Sequence, residues 1–195
     1  MSVQENFHVA ETVELLTSPD TNILDLLSQA EQRVVRKRLI GAILATDMAK
    51  HTSEVSRLRS LVEAKGVSNG NNVQDLLDKT SSTSLFESQQ FLIDVSLHSC
   101  DLGNPARPFE ICKEWTYLLM DELWNQGDVE KRVGLPVSFL CDRNKVNVLQ
   151  AQQSFIAGII LPLMDVVREV MPGMGYLADQ ARKNRDSWRE LEEQQ

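Results

Sequence analysis

The chain has 195 residues, with 20 Lys and Arg against 28 Asp and Glu, a formal charge of −8 and an isoelectric point near 4.9. Phosphate backbones are gripped by concentrated Lys and Arg, so this balance argues against a nucleic-acid binder. At 42% hydrophobic and 25% charged residues, the composition is that of a globular chain able to bury a core, and one domain over residues 1–195 is expected.

The longest apolar run, Ile156 to Met164, is interrupted by Pro162 and falls far short of the roughly 20 residues that span a bilayer. The first residues carry Glu5, Glu11 and Glu14 where a secretory signal needs a basic start and an apolar core. Cys100, Cys112 and Cys141 form no CxxC pair, so reduced thiols in a cytoplasmic setting are expected.

Apolar residues recur at spacings of three and four with almost no alternation, which predicts an all-α fold. A first helix begins near Glu5, Ser18-Pro19-Asp20-Thr21 breaks it, and a short second helix runs through Leu27. Ser28 reads as an N-cap with Glu31 as its capping-box partner. The long helix behind it presents Leu39, Ile40, Ile43 and Leu44 and is predicted to reach about Lys50.

A helix from about Ser53 to Ala64 ends at Gly66. Residues 66–84 are rich in Gly, Asn, Ser, Thr and Asp around Leu76-Leu77, and read as a mobile surface connection with little to bury. Helical spacing returns from Leu85 to about Cys100, stops at Asp101–Pro108, and resumes from Pro108 to Gln126. After a loop at Gly134–Arg143, the most apolar helix spans about Lys145 to Val170, kinked at Pro162. A last amphipathic helix places Leu177, Ala181, Asn184, Trp188 and Leu191 on one side.

Chemistry is expected where polar residues occupy apolar positions. Asp47 falls on the stripe of Leu39 and Ile43, where an unpaired carboxylate would cost several kcal/mol, so either a partner or a function must compensate it. Gln152, within Val148, Phe155 and Ile159, can donate and accept at once: it suits the edge of a planar heterocycle stacked on Phe155, or a backbone carbonyl across a helix interface. Asp101 falls where a helix gives way to a turn, able to face a cleft or brace the turn, and Asn104 precedes Pro105 in extended geometry. A lone His98-x-x-Asp101 is a weak metal signal, because zinc takes three or four protein ligands.

The run His98 to Ile156, HSCDLGNPARPFEICKEWTYLLMDELWNQGDVEKRVGLPVSFLCDRNKVNVLQAQQSFI, resembles the class I cyclic nucleotide phosphodiesterase catalytic domain. SVQENFH (Ser2 to His8) is similar to that family's SVLENHH, and ILATDMAKH (Ile43 to His51) to its LATDM segment, in the same order. The resemblance implies a compact multi-helix domain of the HD type that hydrolyses cAMP, cGMP or both to 5′-monophosphates in signal transduction. It implies Asp101 as a ligand of a tightly bound Zn2+, Asp47 beside the metal-bound waters and Glu5 serving the waters of a second metal, Mg2+. For the nucleotide it implies Gln152 on the purine, Phe155 on one face of the base with Leu119 opposite, and Asn104 in the pocket. The implied chemistry is in-line attack by a hydroxide bridging two metals.

The family's HNxxHxxD segment, with a zinc-ligand histidine and the histidine that protonates the leaving oxygen, lies upstream of SVLENHH, and a further His-Asp pair belongs to the same portion. His8, His51 and His98 fall in motifs where the family uses other residues as zinc ligands; Gln4 and Phe7 replace a Leu and a His of SVLENHH. The expectation is therefore a catalytic domain lacking its N-terminal helices, with an incomplete metal site, a missing portion or an oligomer to complete it, and an apolar stripe at Leu39, Ile40, Ile43 and Leu44 left partly uncovered. The alternative is a non-catalytic helical remnant that binds a nucleotide or a partner.

Overall fold

The structure is a computed structural model that describes residues 2–66 and 73–194. Every regular element among the described residues is helical, and the chain divides into two compact units, Met1–Asp101 and Leu102–Gln195. No described helix is long and apolar enough to cross a membrane.

In the first unit, α1 (Val3–Thr17) is followed by turns where the sequence predicted a second short helix. Thr21 Oγ1 donates to the Leu15 carbonyl at 2.6 Å and Asn22 Oδ1 accepts from the Leu24 N–H at 2.9 Å, so short polar side chains take backbone groups that a helix would pair. The expected capping box opens α2 (Gln29–Ala45): Ser28 accepts from the Glu31 N–H, and Glu31 accepts from the Ser28 N–H at 2.9 Å.

α2 ends at Ala45 rather than Lys50, because the Thr46 hydroxyl bonds the Ile43 carbonyl at 2.8 Å and Asp47 starts a separate 3-10 turn, Met48–Lys50. α3 (His51–Lys65) stops at Gly66, whose φ of 62° is left-handed and favours glycine. Residues 67–72 of the expected mobile connection lie outside the described residues. Its remainder does bury an anchor: Val73–Leu76 is a 3-10 turn with Leu76 2% exposed. α4 (Ser82–Asp101) begins three residues before Leu85, with Ser81 Oγ accepting from the Ser84 N–H at 3.0 Å. It packs on α2, where Arg38 donates to the Phe86 carbonyl at 2.9 Å and to Gln89 Oε1 at 2.7 Å. Leu39, Ile40, Ile43 and Leu44 are all half-buried.

In the second unit, a 3-10 turn at Asn104–Ala106 leads into α5 (Phe109–Arg132), which runs beyond the predicted end at Gln126. Gly127 does not break this helix; it makes room for another backbone, since a Cβ there would lie 1.9 Å from the Cys141 carbonyl oxygen. The predicted single helix at 145–170 is three pieces: α6 (Val148–Phe155), a π-turn at Ile156–Ile160, and α7 (Leu161–Val170). The Leu161 N–H bonds the Ile156 carbonyl five residues back, and Pro162 has no N–H to continue an α-helical ladder. α8 (Gly175–Glu193) closes the unit on the expected face, with Ala181, Asn184 and Trp188 buried.

The core here joins Leu149, Ile156, Ile160, Leu161, Met164, Ala178, Ala181 and Trp188. Phe109 and Tyr117 meet the Trp188 ring edge-on, with centroids 5.2 and 6.4 Å away. Removing roughly 200 Å² of indole from water at about 25 cal/mol per Å² stabilises this unit by about 5 kcal/mol.

Candidate functional site

The expected residues fall in both units. In the first, Asp47 is half-buried and lies past the end of α2, not on its core stripe. Its carboxylate accepts from the Ser2 hydroxyl at 2.5 Å and from the Ala49 N–H at 2.8 Å, capping the 3-10 turn. The Ser2 bond first, then the Ala49 N–H, holds its pKa below the usual carboxylate range. Glu5, in the first turn of α1, is half-buried. Asp101 is exposed and ends α4.

This unit also contains an arrangement that the sequence reading passed over. His51 opens α3 and His98 lies in the last turn of α4, both at least 96% buried, with His51 Nδ1 2.9 Å from His98 Nε2. Burial lowers the His98 pKa, and the Asp101 charge and the Thr46 backbone oppose that only in part. The signal was periodicity: His51 precedes Val55, Leu58 and Val62 on one face, and His98 follows Phe91 and Val95.

In the second unit an open cleft of about 690 Å³ is walled by Phe155 and Ile159 on one side and the Val137–Leu140 loop on the other, with Lys145 and Asn147 at its polar edge. The last turns of α5 fix that loop. Glu130 accepts from the Ser138 N–H at 2.7 Å, Lys131 pairs with Asp142 at 2.8 Å, and Arg143 grips Asp128 with two nitrogens at 3.0 and 2.6 Å. Leu140 has φ 65°, a left-handed conformation that disfavours a bulky side chain by about 1–2 kcal/mol.

Phe155 lines this cleft, whereas Gln152 and Leu119 do not. Gln152 is buried on the same stripe as Leu149, Ile156 and Ile160, and Leu119 is 50% exposed on α5. Asn104 is half-buried, and its Nδ2 donates to the Cys112 carbonyl at 3.2 Å and to Thr116 Oγ1 at 3.5 Å. Its Oδ1 is enclosed without a hydrogen-bond partner.

Residues 1–181 match the profile of the 3′5′-cyclic nucleotide phosphodiesterases. The chain belongs to this family. A Caenorhabditis elegans relative named "Probable 3′,5′-cyclic-AMP phosphodiesterase pde-4" is 37% identical over 186 residues, covering 95% of the chain and 26% of the relative. A Drosophila melanogaster 3′,5′-cyclic-AMP phosphodiesterase, isoform F, is 32% identical over 191 residues, covering 97% of the chain and 28% of the relative. The phosphodiesterase domain of a rhodopsin fusion protein from the choanoflagellate Salpingoeca rosetta superimposes with a TM-score of 0.85 at 26% identity, over 99% of the chain and 57% of that domain's chain. The chain thus spans about a quarter of the length of these two relatives and little more than half of the solved domain.

Phosphodiesterase family membership raises the question of the divalent metals, which the donor set answers. Among the described residues no three His, Cys, Asp or Glu side chains come together in a group that could hold an ion. A structural or catalytic zinc site takes three or four such ligands, and Asp101 is a single exposed carboxylate. The described residues therefore do not make up a zinc site on their own.

Proposed function

We propose that the chain serves the hydrolysis of 3′,5′-cyclic nucleotides, cAMP first among them, to 5′-monophosphates, and that its second unit contributes the nucleoside-binding surface. The observation that carries this reading is Phe155 on the wall of an apolar cleft, in a chain of the phosphodiesterase family. A purine offers two apolar faces and a polar edge. Phe155 offers a ring to one face, and base–aromatic stacking contributes about 1–3 kcal/mol. Leu119 is the residue proposed for the opposite face, and the amides of Gln152 and Asn104 are proposed for the edge; with Asn104 Nδ2 committed to the Cys112 carbonyl and Thr116, its Oδ1 is the group proposed to accept from the base. Asp47, Glu5 and Asp101, in the first unit, are the carboxylates proposed, from the family resemblance, for metal ions and their waters. The names of the relatives, both cyclic-AMP phosphodiesterases, favour adenine over guanine.

Titrating the purified chain with 5′-AMP, cAMP and cGMP, read by protein NMR, tests the reading. The expected result is saturable binding of the adenine nucleotides that weakens tenfold or more in Phe155→Ala, consistent with loss of one stacked base. Absence of binding, or equal affinity in Phe155→Ala, overturns it.

A further inference from the structure

Asn184 is a polar side chain with no exposed surface, in the middle of α8. Its Nδ2 donates to the carbonyls of Pro105 and Arg107, each at 2.7 Å, and its Oδ1 accepts from Gln180 Nε2 at 2.9 Å, one turn earlier in the same helix. These bonds join positions 77 and 79 residues apart in the chain. The 3-10 turn they reach is internally short of donors. It closes through Ala106 N–H to the Gly103 carbonyl and Arg107 N–H to the Asn104 carbonyl. The Pro105 carbonyl would next look to residue 108, which is a proline without an N–H. Asn184 supplies that missing donor from outside, and an unpaired buried carbonyl would cost free energy comparable to a lost hydrogen bond.

Asn104, the first residue of this turn, is tied on its other side to α5 through the Cys112 carbonyl and Thr116. Those bonds fix which way the Asn104 amide points, while the bonds from Asn184 fix the backbone that carries it. Trp188 lies one turn after Asn184 on α8 and is fully buried against Phe109, so the helix that carries the clamp is itself anchored in the core.

We infer that Asn184 is a positioning residue for Asn104: it holds the Asn104–Ala106 turn through two carbonyls and thereby sets the affinity for the base of a nucleotide. The inference rests on the reading that Asn104 meets the nucleotide. Asn184 itself does not touch the ligand. Its contribution is to keep the amide of Asn104 within the few tenths of an ångström that a directional hydrogen bond tolerates.

The test compares the full chain with Asn184→Asp, which keeps shape but replaces the donating NH2 with an acceptor, and with Gln180→Ala, a milder change that removes only the donor to Asn184 Oδ1. Ile160→Val, a core change that removes none of these hydrogen bonds, serves as a stability control of modest cost. The readouts are 5′-AMP affinity, melting temperature and the side-chain NH2 signals of Asn104 in a ¹⁵N spectrum. Asn184→Asp is expected to weaken 5′-AMP tenfold or more and to move the Asn104 signals. Gln180→Ala is expected to do both to a smaller extent, about threefold in affinity, and Ile160→Val to do neither while lowering the melting temperature. Wild-type affinity with unmoved Asn104 signals in Gln180→Ala and in any folded Asn184→Asp overturns the inference. So does an equal loss of affinity in Ile160→Val, which would mark a general stability effect. A wild-type chain that does not bind 5′-AMP removes the reading of the site itself, a result distinct from either.

Discussion

Two helical glycines in the second unit make opposite predictions for the same substitution. At Gly127 a new Cβ would lie 1.9 Å from the Cys141 carbonyl oxygen, 2.7 Å from its carbon and 3.0 Å from its Cβ. A carbon–oxygen contact settles near 3.3 Å, so α5 and the Cys141 backbone must separate by about 1.4 Å. Overpacking costs about 1–3 kcal/mol, and the upper end applies because the struck atoms are backbone that cannot turn aside. Replacing glycine in a helix returns about 1 kcal/mol, leaving Gly127→Ala destabilised by about 2 kcal/mol. At Gly158 no heavy atom lies within 4 Å of the added carbon, so Gly158→Ala keeps that helical gain of up to about 1 kcal/mol. At about 2–4 °C per kcal/mol for a chain of this size, calorimetry should show a fall of about 4–8 °C for Gly127→Ala and a rise of about 2–4 °C for Gly158→Ala. The Gly127 change should also displace Leu140 and Phe139, which precede Cys141 on the cleft wall. An unchanged or raised melting temperature for Gly127→Ala would refute the close-approach account of this glycine.

Two further outcomes follow from the buried histidines and the donor set. Because burial lowers the His98 pKa, the unfolded chain binds a proton near pH 6.5 that the folded chain refuses, so the His98 contribution is present above that pH and lost as pH falls through it. Urea midpoints should therefore drop between pH 7.5 and 5.5, with a shallower slope in His98→Gln; an identical slope in the variant would assign the drop to other groups. Dialysis against EDTA should leave the melting temperature unchanged, because no three described His, Cys, Asp or Glu side chains come together to hold a tightly bound zinc. A fall of several degrees that added Zn2+ restores would refute this reading of the donor set.

Local signals were read well from the sequence, and distant ones were not. The Ser28–Glu31 capping box, the stop at Gly66 and the buried face of α8 each depend on residues within a few turns of one another, and all are present. The end of α2 was missed because Thr46 and Asp47 compete for the backbone in a way that apolar spacing does not register. That same error placed Asp47 on a core stripe, whereas it caps a turn. Gly127 looked like a helix end because its reason lies at Cys141, a neighbour in space only. The π-turn escaped because a residue inserted into an otherwise apolar helix leaves the run apolar. Of the nucleotide candidates, Phe155 was placed on a cleft wall, but nothing in periodicity distinguished it from Gln152, which lies on the core stripe. The His51–His98 pair had a legible pattern in each helix and no legible link between them.

The π-turn at Ile156–Ile160 also sets the tolerance of this region to a change in length. Each residue of an α-helix advances by about 100°. A deletion of Gly158 would let the wide turn close into regular helix with its backbone bonds repaired. Because the wide turn already spreads its extra residue over nearly the same rotation, the stripe of Leu161 and Met164 would keep the face it shares with Ala178 and Trp188, whereas a deletion within α6 or α7 would rotate it by about 100°. The wide turn is thus the one place in this run where a residue can be lost with both helix content and facing kept: Phe155 stays on the cleft and Ile156 in the core.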